Sequence, residues 1–456
     1  MLTKGFNSMQ RFNNRPRLRL ESCLGVGFFL TSVFFKAQAA EKSKAEPLAV
    51  NAFCSYLGGE STQTGTPAQT LTLCDALSKA LSEAPAVRGE EDLYLASEGR
   101  VDQAGLIPNP VLLGDMDKYN KEVTVQLSQT LELGGKRGDR IELAKLEQMN
   151  AKVTFSERRL EILEGVKKRF IEVLLIEQKL SFGQRRHEIA LEILATARRR
   201  VAAGRGMPVE TIKSQLAVTA SELEVSRLQA QLANAKRQLA ATLGISSTES
   251  LTALGDLTSM PVDPARFANF SVENSPALQK ANLELQQRQA ALSLAKSNAV
   301  PDLTLSAGAR RFQEEGTTGM VFGVSVPIPI LNRNQGTIRQ AKGDVSASEL
   351  NREAEKLRVQ AELLGAIQEI QTAYAEAMAF RNMILPAAEK AFASANEIFQ
   401  RGKLDYLNVL DAQRDLFNSR EQYLQSLVAY HEALADLERL TGKGITELLN
   451  SGSSGK

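Results

Sequence analysis

Tryptophan is absent from the 456 residues, and aromatic side chains make up only 5% of them. A chain of this length would ordinarily hold two or three globular domains. Long tracts of Ala, Leu, Glu, Gln, Lys and Arg with so few rings argue instead for extended helices with thin, stripe-like contacts. Charge of one sign is also lacking: 55 Lys and Arg stand against 53 Asp and Glu. No basic excess points to nucleic acid, and an even mixture suits solvated helix faces. Histidine is nearly missing. His187 and His431 lie in helical tracts with no second His or Cys at ligand spacing, so neither a metal site nor a cofactor is expected. There is no nucleophile–base pattern. Gly134-Gly135-Lys136 lacks the earlier glycine and the Ser or Thr of a phosphate loop, so the chain does not read as an enzyme. Finally, no apolar run of about eighteen residues follows the N-terminal region, which excludes a spanning helix and leaves β-strands for any integral membrane role.

What is present begins with a leader. Lys4, Arg11, Arg15, Arg17 and Arg19 precede the apolar stretch Leu24–Phe35, and Ala37-Gln38-Ala39 forms a small-x-small site. Residues 1–39 therefore read as a secretory signal peptide, with a membrane anchor as the alternative. Cys23 would leave with it and is not placed like a lipoprotein cysteine. Cys54 and Cys74 remain in an oxidising compartment, either as a disulfide or as two thiols in a loose segment.

Residues 40–70, rich in Ser, Thr, Gly and Pro, read as an extended linker. From there the chain repeats. Ala84-Pro85 answers to Ser275-Pro276, and Pro108-Asn109-Pro110 to Pro301-Asp302. Gly204 and Gly402, Gln215 and Gln413, and Gly244 and Gly442 are each 198 positions apart. A shared offset over such a length marks a duplication. Unit one is 71–245, a connecting segment is 246–274, unit two is 275–445, and a flexible tail is 446–456. Each unit reads helix, hairpin, long helix, turn, helix. In unit one these are Cys74 to about Leu106, a hairpin over 110–131, Lys136 to about Ala203, and Pro208 to about Leu243. In unit two they are about 276–299, 302–328, 335–401 and 406–441.

The strands rest on period-2 alternation. Val123, Val125 and Leu127 alternate with Thr124, Gln126 and Ser128. Leu303, Leu305, Ala307 and Ala309 alternate with Thr304, Ser306, Gly308 and Arg310. Met320, Phe322, Val324 and Val326 alternate with Val321, Gly323 and Ser325. One apolar and one polar or small face suits a barrel with lipid outside and water inside, while a soluble hairpin on a core is the plainer alternative. The first strand, Val111 to about Met116, is short for a barrel strand of about nine to eleven residues. Tyr119, Phe312 and Phe322 are the only candidates for an aromatic girdle. The helices rest on three-four spacing, with coiled-coil seams such as Leu410, Phe417 and Leu424. A helix of about 67 residues would be about 100 Å long, which suits a duct crossing an aqueous space.

Strand must become helix twice. The sequences there are Leu131-Glu132-Leu133-Gly134-Gly135-Lys136-Arg137 and Val326-Pro327-Ile328-Pro329-Ile330-Leu331-Asn332-Arg333-Asn334-Gln335-Gly336. Gly134 and Gly135 permit unusual dihedrals, Pro327 and Pro329 end a ladder, and Asn332 can cap. These segments, with Ala104-Gly105-Leu106-Ile107-Pro108-Asn109-Pro110, resemble the TolC-like outer-membrane factor family, most of all its CzcC-like heavy-metal cation branch. The resemblance covers essentially all of 71–445. It implies a mostly α chain with membrane β-barrel strands. Each protomer of a homotrimer would give four strands to a twelve-stranded barrel in outer-membrane lipid, above a long antiparallel helical barrel in the periplasm. It also implies a tripartite pump, with a periplasmic adaptor and an inner-membrane RND-type proton-driven transporter.

By the same resemblance, Arg401-Gly402-Lys403-Leu404-Asp405-Tyr406-Leu407-Asn408-Val409-Leu410-Asp411 is a tip where two acidic residues ring a periplasmic entrance. Asp411 falls on the second acidic position. Asn408 falls on the first, a departure that would weaken cation preference. Unit one has Glu210 and Lys213 there. An ordinary solvated charge is the alternative for Asp411. Gly204, Arg205, Met207, Gly402, Lys403 and Leu404 are the expected adaptor-docking tips, with Leu404 or Met207 exposed for a partner hairpin, unless they are merely turn residues. The cargo reading is heavy-metal cations. A drug or type I protein secretion duct of the same fold, and a periplasmic coiled-coil scaffold without a pore, stand as alternatives.

Overall fold

The computed structural model describes residues 53, 70–119, 121–245, 252–260, 263–267, 272–401 and 403–451. The expected signal peptide, nearly all of the linker, Cys54 and Gly402 lie outside the described residues. Those described belong to one contact unit, 49–456.

Thr70–Thr72 forms strand β1, and Leu73–Glu83 forms α1. Thr72 caps α1 by accepting from the Asp75 N–H, while the Asp75 carboxylate accepts from the Thr72 N–H. The single first helix expected over 74–106 is in fact two. Pro85 has no N–H to give, and Ala84 before it is extended at ψ 124°, so α1 stops and α2 (Pro85–Gly105) starts afresh. Then come β2 (Val111–Asp117), β3 (Glu122–Leu131), α3 (Lys136–Ala202) and α4 (Pro208–Thr242). Unit two answers with α5 (Pro276–Ser297), β5 (Leu303–Phe312), β6 (Thr317–Ser325), α6 (Gln335–Ala379), α7 (Leu385–Gln400) and α8 (Tyr406–Thr441), followed by a short α9 (Ile445–Ser451). The long helix expected over 335–401 is interrupted by a π turn, Phe380–Ile384. Pro386 is the reason: it cannot donate to residue 382, and the widened turn absorbs the lost bond.

The connecting segment carries a strand that periodicity did not reveal. β4 (Thr252–Leu254) pairs in parallel with β1, Leu71 opposite Ala253. Three residues per strand are too few for any alternation to register.

Buried side chains concentrate in α1, the middle of α3 and the C-terminal half of α8. They include Leu73, Leu77 and Ala80 of α1, Leu163, Val166, Phe170 and Ile171 of α3, and Leu427, Tyr430, Leu434 and Leu437 of α8. α3 packs on α1, α2, α4, α5 and α8. A fully buried ion pair, Lys167 with Glu438, crosses from α3 to α8. Burial pushes the Lys167 ammonium down and the Glu438 carboxyl up, and each partner opposes the other's shift. The pair is well supported. Glu438 also accepts the Ile445 N–H at 2.8 Å, and Lys167 lies 5.2 Å from the centre of the Phe53 ring. His431 is buried as well. Its Nε2 lies 2.9 Å from the Leu257 carbonyl oxygen, and burial pushes its pKa down to about 4, so the ring is neutral and tethers the connecting segment to α8.

Removing one member of the buried pair strands the other. Lys167→Met should cost about 3–5 kcal/mol and lower the thermal unfolding midpoint, whereas Lys167→Met with Glu438→Leu should recover most of the loss. A double variant as unstable as the single one would show that the charge pair is not what α3 and α8 depend on there.

Candidate functional site

The four hairpin strands form one antiparallel sheet in the order β2-β3-β5-β6. Its register builds continuous rows across the wall. On one face Leu112, Leu127, Ala307 and Phe322 lie side by side, as do Gly114, Val125, Ala309 and Met320. Leu112, Met116, Met320, Phe322 and Val324 are strongly exposed there. On the other face the rows are Val111, Ser128, Ser306 and Gly323, and Asp115, Thr124, Arg310 and Gly319. Arg310 donates to the Thr124 hydroxyl at 3.1 Å and pairs with Glu122 at 3.3 Å. An exposed apolar face backed by a polar, charged one is what a lipid-facing wall around water requires. Phe312 departs from the girdle expectation: it shares the polar face with Arg310, opposite Glu122 and Thr317. Gly308 sits where any Cβ would collide with the Val125 carbonyl and Gln126, which lets β5 approach β3 closely on the inner face. Among the described residues, the outer edges of β2 and β6 have no strand partner.

The two strand-to-helix junctions are welded together. Gly134 and Gly135 take φ of +73° and +82°, and Gly135 caps α3. A Cβ on Gly134 would lie 2.7 Å from Val300 Cβ. Asp302, at the entry to β5, accepts from the Leu133 N–H at 3.2 Å and from the Lys136 ammonium at 2.6 Å. At the second junction Pro327 and Pro329 end the ladder after β6. Asn334, at φ +59°, stands at the N-cap position of α6, and its side chain donates to the Ala295 carbonyl at 2.7 Å. Asn332 accepts from the Asn334 N–H at 3.0 Å, so it shapes the turn before the cap rather than capping the helix itself. Two arginines, Arg137 from the junction motif and Arg140, which the sequence did not single out, hold the end of α2. Arg137 donates to the Gly105 carbonyl at 2.7 Å. Arg140 donates to those of Ala104 and Leu106 while gripping both Glu132 oxygens. The signal for them was the cluster of basic residues that follows Glu132, the acid just past the end of β3.

At the far end of the helices two turns meet. Ile193, Phe399, Tyr406 and Val409 form a buried cluster with Leu404 packed against it. Leu404 is therefore half-buried, not the exposed docking residue expected, while Met207 is 67% exposed and Lys403 and Arg205 are exposed. Gly204 turns at φ +67°. Burial pushes the Tyr406 phenol up, offset in part by a hydrogen bond with Ser214 of α4. Arg200 braces both turns. It reaches the Phe399 and Leu404 carbonyls, each at 3.3 Å, lies 4.8 Å from the Phe399 ring centre and stands 3.9 Å from Glu210. Asn408 and Asp411 lie one turn apart on α8, and both are exposed. Their counterparts in unit one differ: Glu210 is folded under Arg200 and Lys213 is exposed.

The sequence family described as outer membrane efflux protein matches residues 100–245 and 270–443. The cobalt-zinc-cadmium resistance protein CzcC of Cupriavidus metallidurans is 34% identical over 352 residues, which is 76% of this chain and 84% of that protein. The nickel-cobalt-cadmium resistance protein NccC of Alcaligenes xylosoxydans xylosoxydans is 24% identical, and the match spans 55% of this chain and a little over half, 57%, of that protein. Among solved structures, the outer-membrane channel OprN superposes with a TM-score of 0.71 at 16% identity, covering 87% of this chain and 96% of the channel.

Arg200 is the charged link between the two turns, so Arg200→Ala should free two carbonyls at a cost of about 1–3 kcal/mol. Amide exchange over Lys403–Tyr406, followed by mass spectrometry, should then quicken by roughly tenfold or more. Unchanged exchange would mean that the apolar cluster alone holds the turns.

Proposed function

Because the chain belongs to the outer membrane efflux protein family, we propose that it is the exit duct of a tripartite pump for heavy-metal cations, carrying them passively from the periplasm to the exterior. The observation that carries the cargo is the 34% identity to a cobalt-zinc-cadmium resistance protein over 84% of that protein's length. The wall supplies the path: an apolar outer face, a polar inner face and two open edges in each protomer. Closing those edges around a threefold axis gives twelve strands. Leu216 and Leu223 on α4, and Leu350, Leu357 and Leu364 on α6, are exposed at seven-residue spacing, and helices of neighbouring protomers would cover them. The drive comes from an RND-type transporter in the inner membrane, joined through a periplasmic adaptor. The adaptor reads the tips at Gly204, Arg205, Met207, Gly402 and Lys403, with Leu404 supporting the turn from beneath. Cys74 is disulfide-bonded, which supports Cys54 as its partner in the segment that precedes α1.

Asp411 forms the entrance ring, with Asn408 one turn away as a neutral second ring. Their exposure supports this, as does the burial of Glu210 beside Arg200, which removes the acid that matches Asn408 in unit one and leaves Asp411 as the exposed acid of the two matched positions. Three carboxylates on an axis attract cations and repel anions. Asp411→Ala should lower cation selectivity in planar bilayers, read as a reversal potential shifted toward zero under a salt gradient, and Asn408→Asp should raise it. Unchanged reversal potentials in both would remove Asp411 from the entrance. For the cargo, deleting the chain from its host should raise sensitivity to divalent transition metals. Sensitivity gained only toward drugs would overturn the metal reading and leave the duct standing.

A further inference from the structure

The outward apolar stripe of β6 runs only from Met320 to Val324, about 13 Å along the strand at about 3.3 Å per residue, against an apolar belt about 25 Å tall in outer-membrane barrels. It cannot grow toward the distal turn. Arg311 lies on the same face opposite Thr318, and the turn itself is Gln313, Glu314, Glu315 and Gly316. Toward the helices, however, the exposed apolar run does not stop where the strand does. Val326, Ile328, Ile330 and Leu331 follow, with Ile328 79% and Leu331 88% exposed. Pro327 and Pro329 deny this segment an N–H at alternate positions, so it cannot extend the ladder or recruit another strand. Instead the Ile330 N–H turns back to the Ile328 carbonyl at 2.9 Å. An open groove of about 720 Å³ separates the segment from Val300 and Pro301, with Asn298 and the Lys136–Asp302 pair also on its lining. Immediately beyond Leu331 the chain becomes polar, through Asn332, the exposed Arg333 and Asn334.

We propose that Val326–Leu331 is a membrane collar, seated among the acyl chains of the periplasmic leaflet of the outer membrane. The groove beside it admits a lipid tail, and Arg333 lies at the level of the anionic phosphates. This rests on the reading of the sheet as a lipid-facing barrel. The order of chemistry along the segment favours lipid: apolar wall, apolar collar, then a cation, the sequence of environments met on leaving a leaflet toward water. It also fits the short stripe of β6, because the collar supplies apolar height that this strand lacks.

The absence of tryptophan makes the test clean, since one introduced indole reports alone. Leu331→Trp and, separately, Ile328→Trp would be purified as trimers and reconstituted in phosphatidylethanolamine–phosphatidylglycerol vesicles. The vesicles would be doped with phosphatidylcholine brominated either near the headgroup end or deep in the acyl chains. Phe322→Trp on the barrel face and Leu407→Trp near the tip are the controls. We expect the collar indoles to be quenched several-fold more than Leu407→Trp, and more by shallow than by deep bromines. Phe322→Trp should be quenched by the deep ones. If Phe322→Trp is quenched but both collar indoles are spared, with blue-shifted emission, a neighbouring protomer covers the segment and the collar is overturned. If Phe322→Trp is itself spared, the barrel reading fails, and the collar with it.

Discussion

One carboxylate sets the geometry of the barrel floor. Asp302 receives the Leu133 N–H and the Lys136 ammonium, and so ties the exit of β3 to the entry of β5. Those two strands are already paired, Leu131 opposite Leu303, but pairing alone does not say where the chain leaves the sheet. With Gly134 packed against Val300 there is no room for a side chain, and α3 must start where Asp302 holds its first residue. The junction therefore fixes how a twisted sheet hands its load to long helices. The same linkage joins the two halves of the duplication, because the acid belongs to unit two and its donors to unit one.

Below that floor the chain holds its helices with modest means. Contacts run in stripes, and few positions are buried from all sides. Where α1, α3 and α8 come together, the structure spends a fully buried ion pair, a neutral histidine on a carbonyl and the short parallel pairing of β1 with β4. A pair like Lys167 and Glu438 contributes little net stability compared with apolar residues of the same size. It does penalise any sliding of α3 along α8 that would separate the charges without water to receive them. Long helices in stripe contact need such registration, because one turn of slippage costs their apolar seams rather little.

Much of this was legible in the sequence, for reasons of period. The strands showed themselves because alternate positions face different media. The long helices showed themselves because apolar residues recur at three and four over many turns. The glycines and prolines of the junctions announced a change of backbone regime. What stayed hidden lacks a period or depends on distance in space. Pro85 and Pro386 break or widen helices that their neighbours would continue. β1 and β4 are too short to alternate. Arg137 and Arg140 act on carbonyls more than thirty positions away, and Lys167 looks like any solvated lysine until Glu438 is placed beside it. At the tips, Leu404 looked free because it stands in a turn, yet Ile193, Phe399 and Tyr406 draw it inward. The matching position to Asn408 in the first unit, Glu210, is an acid on paper, and only the structure shows it buried beside Arg200.

The open edges of β2 and β6 have a consequence for how the duct comes into being. A protomer with two different sticky ends is a bifunctional monomer, and head-to-tail addition of such monomers either closes into a ring or grows without limit. Closure at three consumes every free edge, whereas an open dimer still carries one of each. Once two protomers have joined, the third meets both ends at an effective concentration far above that of a stray fourth, which favours the ring on kinetic grounds. Seven-residue β2, preceded by Pro108 and Pro110, keeps each joint short. A short joint between two protomers can come apart again, so a misjoined chain is not a dead end. The ring, with all its joints made together, is the form that resists coming apart.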